Sequence, residues 1–225
     1  MTTTKHAPST AATRTPAMRR AAGILLVVAG ITFFLYGPLH PGDSGQGSKL
    51  DALIEMLEDP MWAPAHLVGL VSYACFTAAV LAIRKGVELD PVMTRVAGAV
   101  FAIGVLGTVA MVLHTLAFAG VDAIRAGGED SIWFQLQTWN EAIVNAVWAL
   151  SLAVLAAAGG LTRTVGNRII MPLGVVGALA YSLALATIPF VDTFDPLFPI
   201  SGLLAVWAVI AGVMMLARGP ADAKV

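Results

Sequence analysis

Residues 96–119 read VAGAVFAIGVLGTVAMVLHTLAFA, a run that contains no Asp, Glu, Lys or Arg. At about 1.5 Å rise per residue, a helix of this length exceeds the roughly 30 Å hydrocarbon core of a bilayer. A helix on the surface of a soluble protein would carry charge on one face, whereas this one is apolar all round, as a membrane span is. Five more runs share its character, and the predicted spans are 21–39, 63–83, 96–119, 143–161, 169–190 and 198–217. The fold class that follows is all-α, a polytopic six-transmembrane-helix bundle.

Composition agrees. Of the 225 residues, 58% are hydrophobic and 12% charged, where a soluble domain carries about 25% charged residues. Six spans and their connections nearly exhaust the chain. The domain reading is a disordered tail over 1–19, a membrane domain over 20–218 and a second tail over 219–225. The first tail is rich in Thr, Ala and Pro with scattered positive charge, a composition that buries too little surface to offset its ordering entropy. Arg19 and Arg20 precede the first span as they would a secretory signal, but no small-residue cleavage site follows Leu39, so the span is expected to be retained.

Basic residues fix the orientation, because they are held on the cytoplasmic side during insertion. Alternating the connections puts Lys5, Arg14, Arg19, Arg20, Arg84, Lys85, Arg95, Arg163, Arg168, Arg218 and Lys224 inside, and only Lys49 and Arg125 outside. Asp43, Asp51, Glu55, Glu58, Asp59, Asp122, Glu129, Asp130, Glu141, Asp192 and Asp195 all fall outside. Both termini are therefore predicted to be cytoplasmic. The bilayer is the obligatory partner, and the Arg-rich, Ala-rich usage points to the cell membrane of a GC-rich bacterium.

The net charge of -1 supplies none of the clustered basic surface that nucleic acid requires. Cys75 is the single cysteine, which excludes an intramolecular disulfide and thiolate-rich metal sites; it is expected to pack as a small core residue. No GxSxG elbow, Walker A or GxGxxG follows a strand pattern, which removes hydrolase and soluble nucleotide chemistry. Three helices followed by three place the halves in opposite orientation, as inverted-repeat transporters do, although no internal sequence repeat accompanies that count.

The first external loop begins with Gly, Asp and Ser at 42–48 and then carries Ser48 and Asp51 at capping-box spacing. Leu50, Leu53, Ile54 and Leu57 recur at helical intervals, with Asp51, Glu55 and Glu58 opposite and Pro60 closing the segment. A short amphipathic helix is predicted, resting on the outer membrane surface, with 121–126 as a second cover. Gly98, Gly104, Gly107, Gly174 and Gly177 mark faces where helices approach closely, against each other, a second copy or another membrane protein. Tyr36, Trp62, Trp133 and Trp139 lie near predicted outer boundaries, where aromatic rings form an interfacial belt.

Chemistry points to the same outer side. His40 ends the first span, His66 begins the second and His114 lies about one and a half turns before the third emerges, so three distant histidines share one depth. His6 falls in the tail. Helical spacing aligns His66 with Gly69, Tyr73 and Thr77, His114 with Gly107 and Ala110, and Tyr36 with His40, though Pro38 perturbs that last register. Gln137, Glu141 and Asn145 continue the pattern in the fourth span. These stripes predict an outward-facing cavity lined by Tyr36, Tyr73, Gln137 and Asn145.

Neutral imidazole suits Zn, Cu and Fe. The candidate metal ligands are His40, His66, His114 and Glu141, with Glu141 completing or orienting the shell and standing as the candidate catalytic acid or base. The cofactor read from them is a transition metal, or a b-type haem with His66 and His114 as axial ligands and His40 as a propionate or entry contact. Redox chemistry, metal handling and sensing follow from either. The same cavity also fits a proton-coupled solute transporter, and the Gly-rich faces fit an accessory subunit of a membrane complex.

Overall fold

The computed structural model describes residues 16–217. The terminal segments 1–15 and 218–225, with His6, lie outside the described residues. The described chain is all-α: α1 Pro16–Leu39, α2 Lys49–Glu58, α3 Trp62–Gly86, α4 Pro91–Thr115, α5 Val121–Gly127, α6 Ile132–Trp139, a π-helical segment Asn140–Asn145, α7 Ala146–Thr162, α8 Met171–Thr187 and α9 Leu197–Ala217. A 3-10 turn, Leu116–Gly120, joins α4 to α5.

Five helical runs are long and apolar enough to cross a membrane, namely Pro16–Leu39, Trp62–Gly86, Pro91–Asp130, Ile132–Thr162 and Leu197–Ala217, and Met171–Thr187 is a shorter apolar helix. By helix length and hydropathy the protein is a multi-span membrane protein. Large apolar side chains turned outward, such as Phe34, Leu106, Val109 and Leu161, contact lipid rather than water.

Neighbouring helices close into a ring in the order α1, α3, α4, α7, α8, α9 and back to α1. Aromatic rings fill its centre: Tyr73 stacks on Trp148 with centroids 3.5 Å apart, and Phe33 meets Tyr181 edge-on at 4.9 Å. Lipid tails are as apolar as leucine, so helix association rests on close packing and interhelical hydrogen bonds. Ser72 Oγ donates to Ala29 O across α3 and α1, and Ser182 Oγ donates to Ala146 O across α8 and α7.

Glycines set the closest approaches. A Cβ at Gly104 would lie 2.7 Å from Thr77 Oγ1, one at Gly174 would lie 2.7 Å from the Trp207 ring, and one at Gly177 would strike the Leu203–Leu204 backbone. Gly98 departs from the expectation, since a Cβ there would meet only Arg84 Nη2 at 3.9 Å. The closest α1–α9 contacts use Gly23, Gly30 and Gly212 instead.

Several predicted boundaries move. Residues 16–19, read as tail, are already helical, because Pro at the first turn needs no amide partner. The helical run that contains the predicted fourth span begins at Ile132, eleven residues before 143, since Gln135, Gln137, Asn140 and Glu141 interrupt the apolar run without interrupting the helix. The short helix α2 has the predicted box: Ser48 Oγ accepts from Asp51 N while the Asp51 carboxylate accepts from Ser48 N. Those bonds from Ser48 hold the Asp51 carboxyl below its ordinary range.

The apolar face of α2 does not lie on the membrane. Leu57 packs with Trp62, Ala117 and Ile124 in a second small core, and Leu50, Leu53, Ile54 and Met56 join it. Arg125 and Glu58 form an ion pair between α5 and α2. The segment read as a second cover is α5, and it supplies the surface that α2 covers. Trp62 and Tyr36 are likewise not belt residues, being 2% and 8% exposed and turned into the protein, whereas Trp139 is exposed.

Candidate metal centre

His40, His66 and His114 come together. One ring nitrogen from each lies within 4.8 Å of those of the other two. Each arrives by a different local route. In α1 the helix continues through Pro38, and His40 N still bonds Tyr36 O at 2.9 Å, so the helical register at His40 survives the proline. Pro41 follows and ends the helix, which leaves the imidazole at the helix tip. His66 is in the second turn of α3, and His114 is in the last turn of α4. Because α3 and α4 run in opposite directions, an early residue of one and a late residue of the other reach the same depth.

The rings form a chain of contacts. His40 and His66 have centroids 4.8 Å apart, and His66 and His114 are 4.5 Å apart. Trp62 stacks on His66 at 3.8 Å and touches both other histidines. Tyr36 meets His40 at 5.5 Å and His66 at 5.4 Å, edge-on in both cases. The indole is fixed in turn by Trp62 Nε1, which donates to Thr115 O.

On every histidine Nδ1 is engaged. His40 Nδ1 is 2.7 Å from Pro41 O, and His66 Nδ1 is 2.6 Å from Trp62 O. A carbonyl only accepts, so both nitrogens donate. His114 Nδ1 is 2.9 Å from Glu141 Oε1, and the Gln137 amide touches the same nitrogen. With Nδ1–H given to the carboxylate, the Gln137 amide oxygen is the atom that suits this position. Nε2 is thereby left with its lone pair on His40 and His66, and on His114 in the tautomer that gives Nδ1–H to Glu141. His66 Nε2 is buried and has no hydrogen-bond partner among the described residues.

An orphaned buried nitrogen of this kind calls for an explanation. A metal ion supplies one, and the surroundings match the usual pattern, in which a ligating histidine gives its other N–H to a carbonyl or carboxylate. Size is compatible as well. Tetrahedral nitrogen ligands at 2.0–2.1 Å from zinc sit about 3.4 Å apart, so the rings would turn and draw their nitrogens together from the present spacing of up to 4.8 Å to close on an ion.

Glu141 occupies the π-helical segment. That extra residue in the turn lets Gln137, Glu141 and Asn145 stay aligned at intervals of four, and π segments recur at functional sites. Asn140 Nδ2 donates to Ala110 O and ties this segment to α4 one turn before His114. Glu141 Oε1 also accepts from Asn145 Nδ2 at 3.4 Å. Glu141 therefore holds His114 and does not itself join the three ring nitrogens.

A cavity of about 700 Å³ opens beside the cluster and is lined by Tyr36, His40, His114, Gln137, Glu141 and Tyr181 among others. Tyr73 and Asn145, expected in its wall, sit behind it: Tyr73 is stacked under Trp148, and Asn145 is bonded to Glu141. At the rim, Lys49 at the start of α2 pairs with Asp192 of the α8–α9 connection. Asp195 lines the same rim, and burial pushes its carboxyl above the ordinary value. Trp62 and Asn140 were missed in the sequence, the first because an interfacial tryptophan reads as a belt and the second because nothing in sequence announces a π turn.

Comparisons with protein-family models, with curated proteins and with solved structures give no match, so the chemistry rests on the residues themselves.

Proposed function

We propose that this protein is a membrane metalloprotein holding one borderline transition-metal ion, zinc or copper, on the Nε2 atoms of His40, His66 and His114. The observation that carries this reading is the unpartnered, fully buried His66 Nε2 beside two other imidazoles whose Nδ1 atoms are already committed. An all-nitrogen set selects against Mg and Ca, which take oxygen ligands, and suits Zn and Cu. Glu141, reaching His114 from outside the ligand set, raises its basicity and fixes its tautomer.

Haem is not part of this reading. The His66 and His114 rings are in direct edge contact, with centroids 4.5 Å apart, and no porphyrin plane lies between two rings that touch. Three protein ligands leave a position open toward the cavity, as catalytic zinc sites do. A metal there would act as a Lewis acid on whatever enters, and the chain's residues hold that ligand against Tyr36, Gln137 and Glu141.

The bundle is proposed to cross six times, with α8 as the short span, both termini cytoplasmic and the metal centre on the outer side. The eleven-to-two split of basic residues supports this. In a Cys75→Ala background, a membrane-impermeant maleimide applied to intact cells is expected to label Ser44→Cys and to leave Thr162→Cys unlabelled until the cells are opened. Labelling of Thr162→Cys from outside would invert the topology.

The metal reading is tested by elemental analysis of the detergent-purified protein beside a His66→Ala, His114→Ala double variant with the same helical content. One metal per chain, lost in the variant, is the expected result; equal metal in both, or none in either after loading, would reject it. Glu141→Gln is expected to weaken metal binding by about 10–100-fold without abolishing it, since it removes an orienting group rather than a ligand. Competition against a chromophoric chelator measures this.

A further inference from the structure

The cavity beside the histidines also reaches the outside of the bundle, and its walls indicate how a ligand arrives. Over much of their length α1 and α9 are in backbone contact: a Cβ on Gly23 would lie 2.9 Å from Gly212 O, and one on Gly30 would lie 2.7 Å from Ala205 O. Toward the outer ends of both helices the spacing opens at two glycines. Phe34 and Gly37 of α1 and Phe198 and Gly202 of α9 line the cavity instead, and a Cβ at Gly37 or Gly202 would meet nothing within 4 Å. Phe34 lines the cavity and is also 60% exposed on the bundle surface, so one side chain borders both the cavity and the outside.

Over the top the cavity is roofed. Ala52, Leu53 and Met56 of α2 line it from above, and the Lys49–Asp192 ion pair ties that roof to the α8–α9 connection. The α1–α9 side of the cavity, at Gly37 and Gly202, has no side chain across it within 4 Å of either glycine's Cβ position. Its depth within the α1 and α9 helices and its apolar walls suit an alkyl chain, and about 700 Å³ falls within the roughly 300–1,000 Å³ range of small-ligand sites.

We propose that an amphiphile, a long-chain carboxylate, enters from the bilayer between α1 and α9. Its chain lies in the gap past Phe34 and Phe198, and its head reaches the histidines. The choice of head group rests on the metal reading above: a divalent ion on three neutral imidazoles is only partly offset by the single Glu141 carboxylate, which favours an anionic oxygen at the open position. The lateral path itself rests only on the gap.

The test uses the full chain, metal-loaded, in lipid nanodiscs with a diazirine-bearing hexadecanoic acid, its crosslinks mapped by mass spectrometry and metal content measured on the same samples. Labels are expected on residues 34–38 and 198–202, displaced by unlabelled hexadecanoate and not by acetate. Gly37→Phe and Gly202→Phe, each filling the gap, are expected to cut labelling at least about tenfold with metal content unchanged. Labelling that survives both plugs, or that acetate displaces as well as hexadecanoate does, overturns the proposal. Should either plug fail to fold, the other and the acetate comparison decide. Metal bound with no label in the gap rejects the lateral path alone, while plug-sensitive labelling in a protein that binds no metal rejects the metal reading and keeps the path.

Discussion

His66→Phe is expected to lower metal affinity by more than about 100-fold, beyond the loss typical of an orienting residue, while leaving the helical bundle intact. Phenylalanine keeps a flat ring against Trp62, which in the native protein stacks on His66 at 3.8 Å, so the packing survives while the Nε2 lone pair and the Nδ1–H bond to Trp62 O are lost. The effect should exceed that of removing His40. His66 is fully buried in contact with the other two rings and its Nε2 has no hydrogen-bond partner among the described residues, whereas His40 is half-buried at the tip of α1 beside the cavity, where water or an entering ligand can take its position. Affinities from chelator competition and circular dichroism on the same preparations separate the two effects. Unchanged affinity in a folded His66→Phe protein would mean that the buried nitrogen is not a ligand.

Gly177→Ala is expected to destabilise the bundle by about 1–3 kcal/mol, the usual cost of overpacking. The added methyl meets backbone atoms, Leu203 C at 2.9 Å and Leu204 Cα at 3.0 Å, and a backbone cannot rotate away as a side chain can. Helices α8 and α9 must separate to admit it, which disturbs the Trp207 packing beneath Gly174. Gly98→Ala makes the same chemical change where a Cβ meets only the end of Arg84 at 3.9 Å. There, alanine's better helix propensity is expected to stabilise by up to about 1 kcal/mol. Thermal melting in one detergent compares them, and a Gly177→Ala protein that melts at or above wild type would contradict the close α8–α9 contact.

The spans were legible because a bilayer imposes a length and forbids charge, and both leave marks in a single sequence. The meeting of the three histidines was legible for the same reason: once orientation fixes which end of each span is outward, His40, His66 and His114 share a depth. What they do at that depth was less visible. The helix that carries the fourth span starts eleven positions before the predicted 143, at Ile132, because Gln137, Asn140 and Glu141 look like loop residues until one sees that they face the bundle interior. Their exchange of solvent for Ala110 O, His114 and Asn145 depends on a π turn with no sequence signature. Trp62 and Tyr36 were read as interfacial anchors because position alone cannot distinguish a ring facing lipid from one stacked on a histidine. The face of α2 was assigned to the membrane because amphipathicity shows that an apolar face exists and not what covers it; here Ile124 and Trp62 do.

The most direct measurement of the central claim is X-ray absorption at the metal edge of protein loaded with one equivalent of zinc or copper in lipid nanodiscs. Three imidazole nitrogens at about 2.0 Å, falling to two in His66→Phe, is the predicted result. A shell of oxygen or sulfur ligands, or one identical in the wild type and the variant, would show that the histidines do not hold the ion.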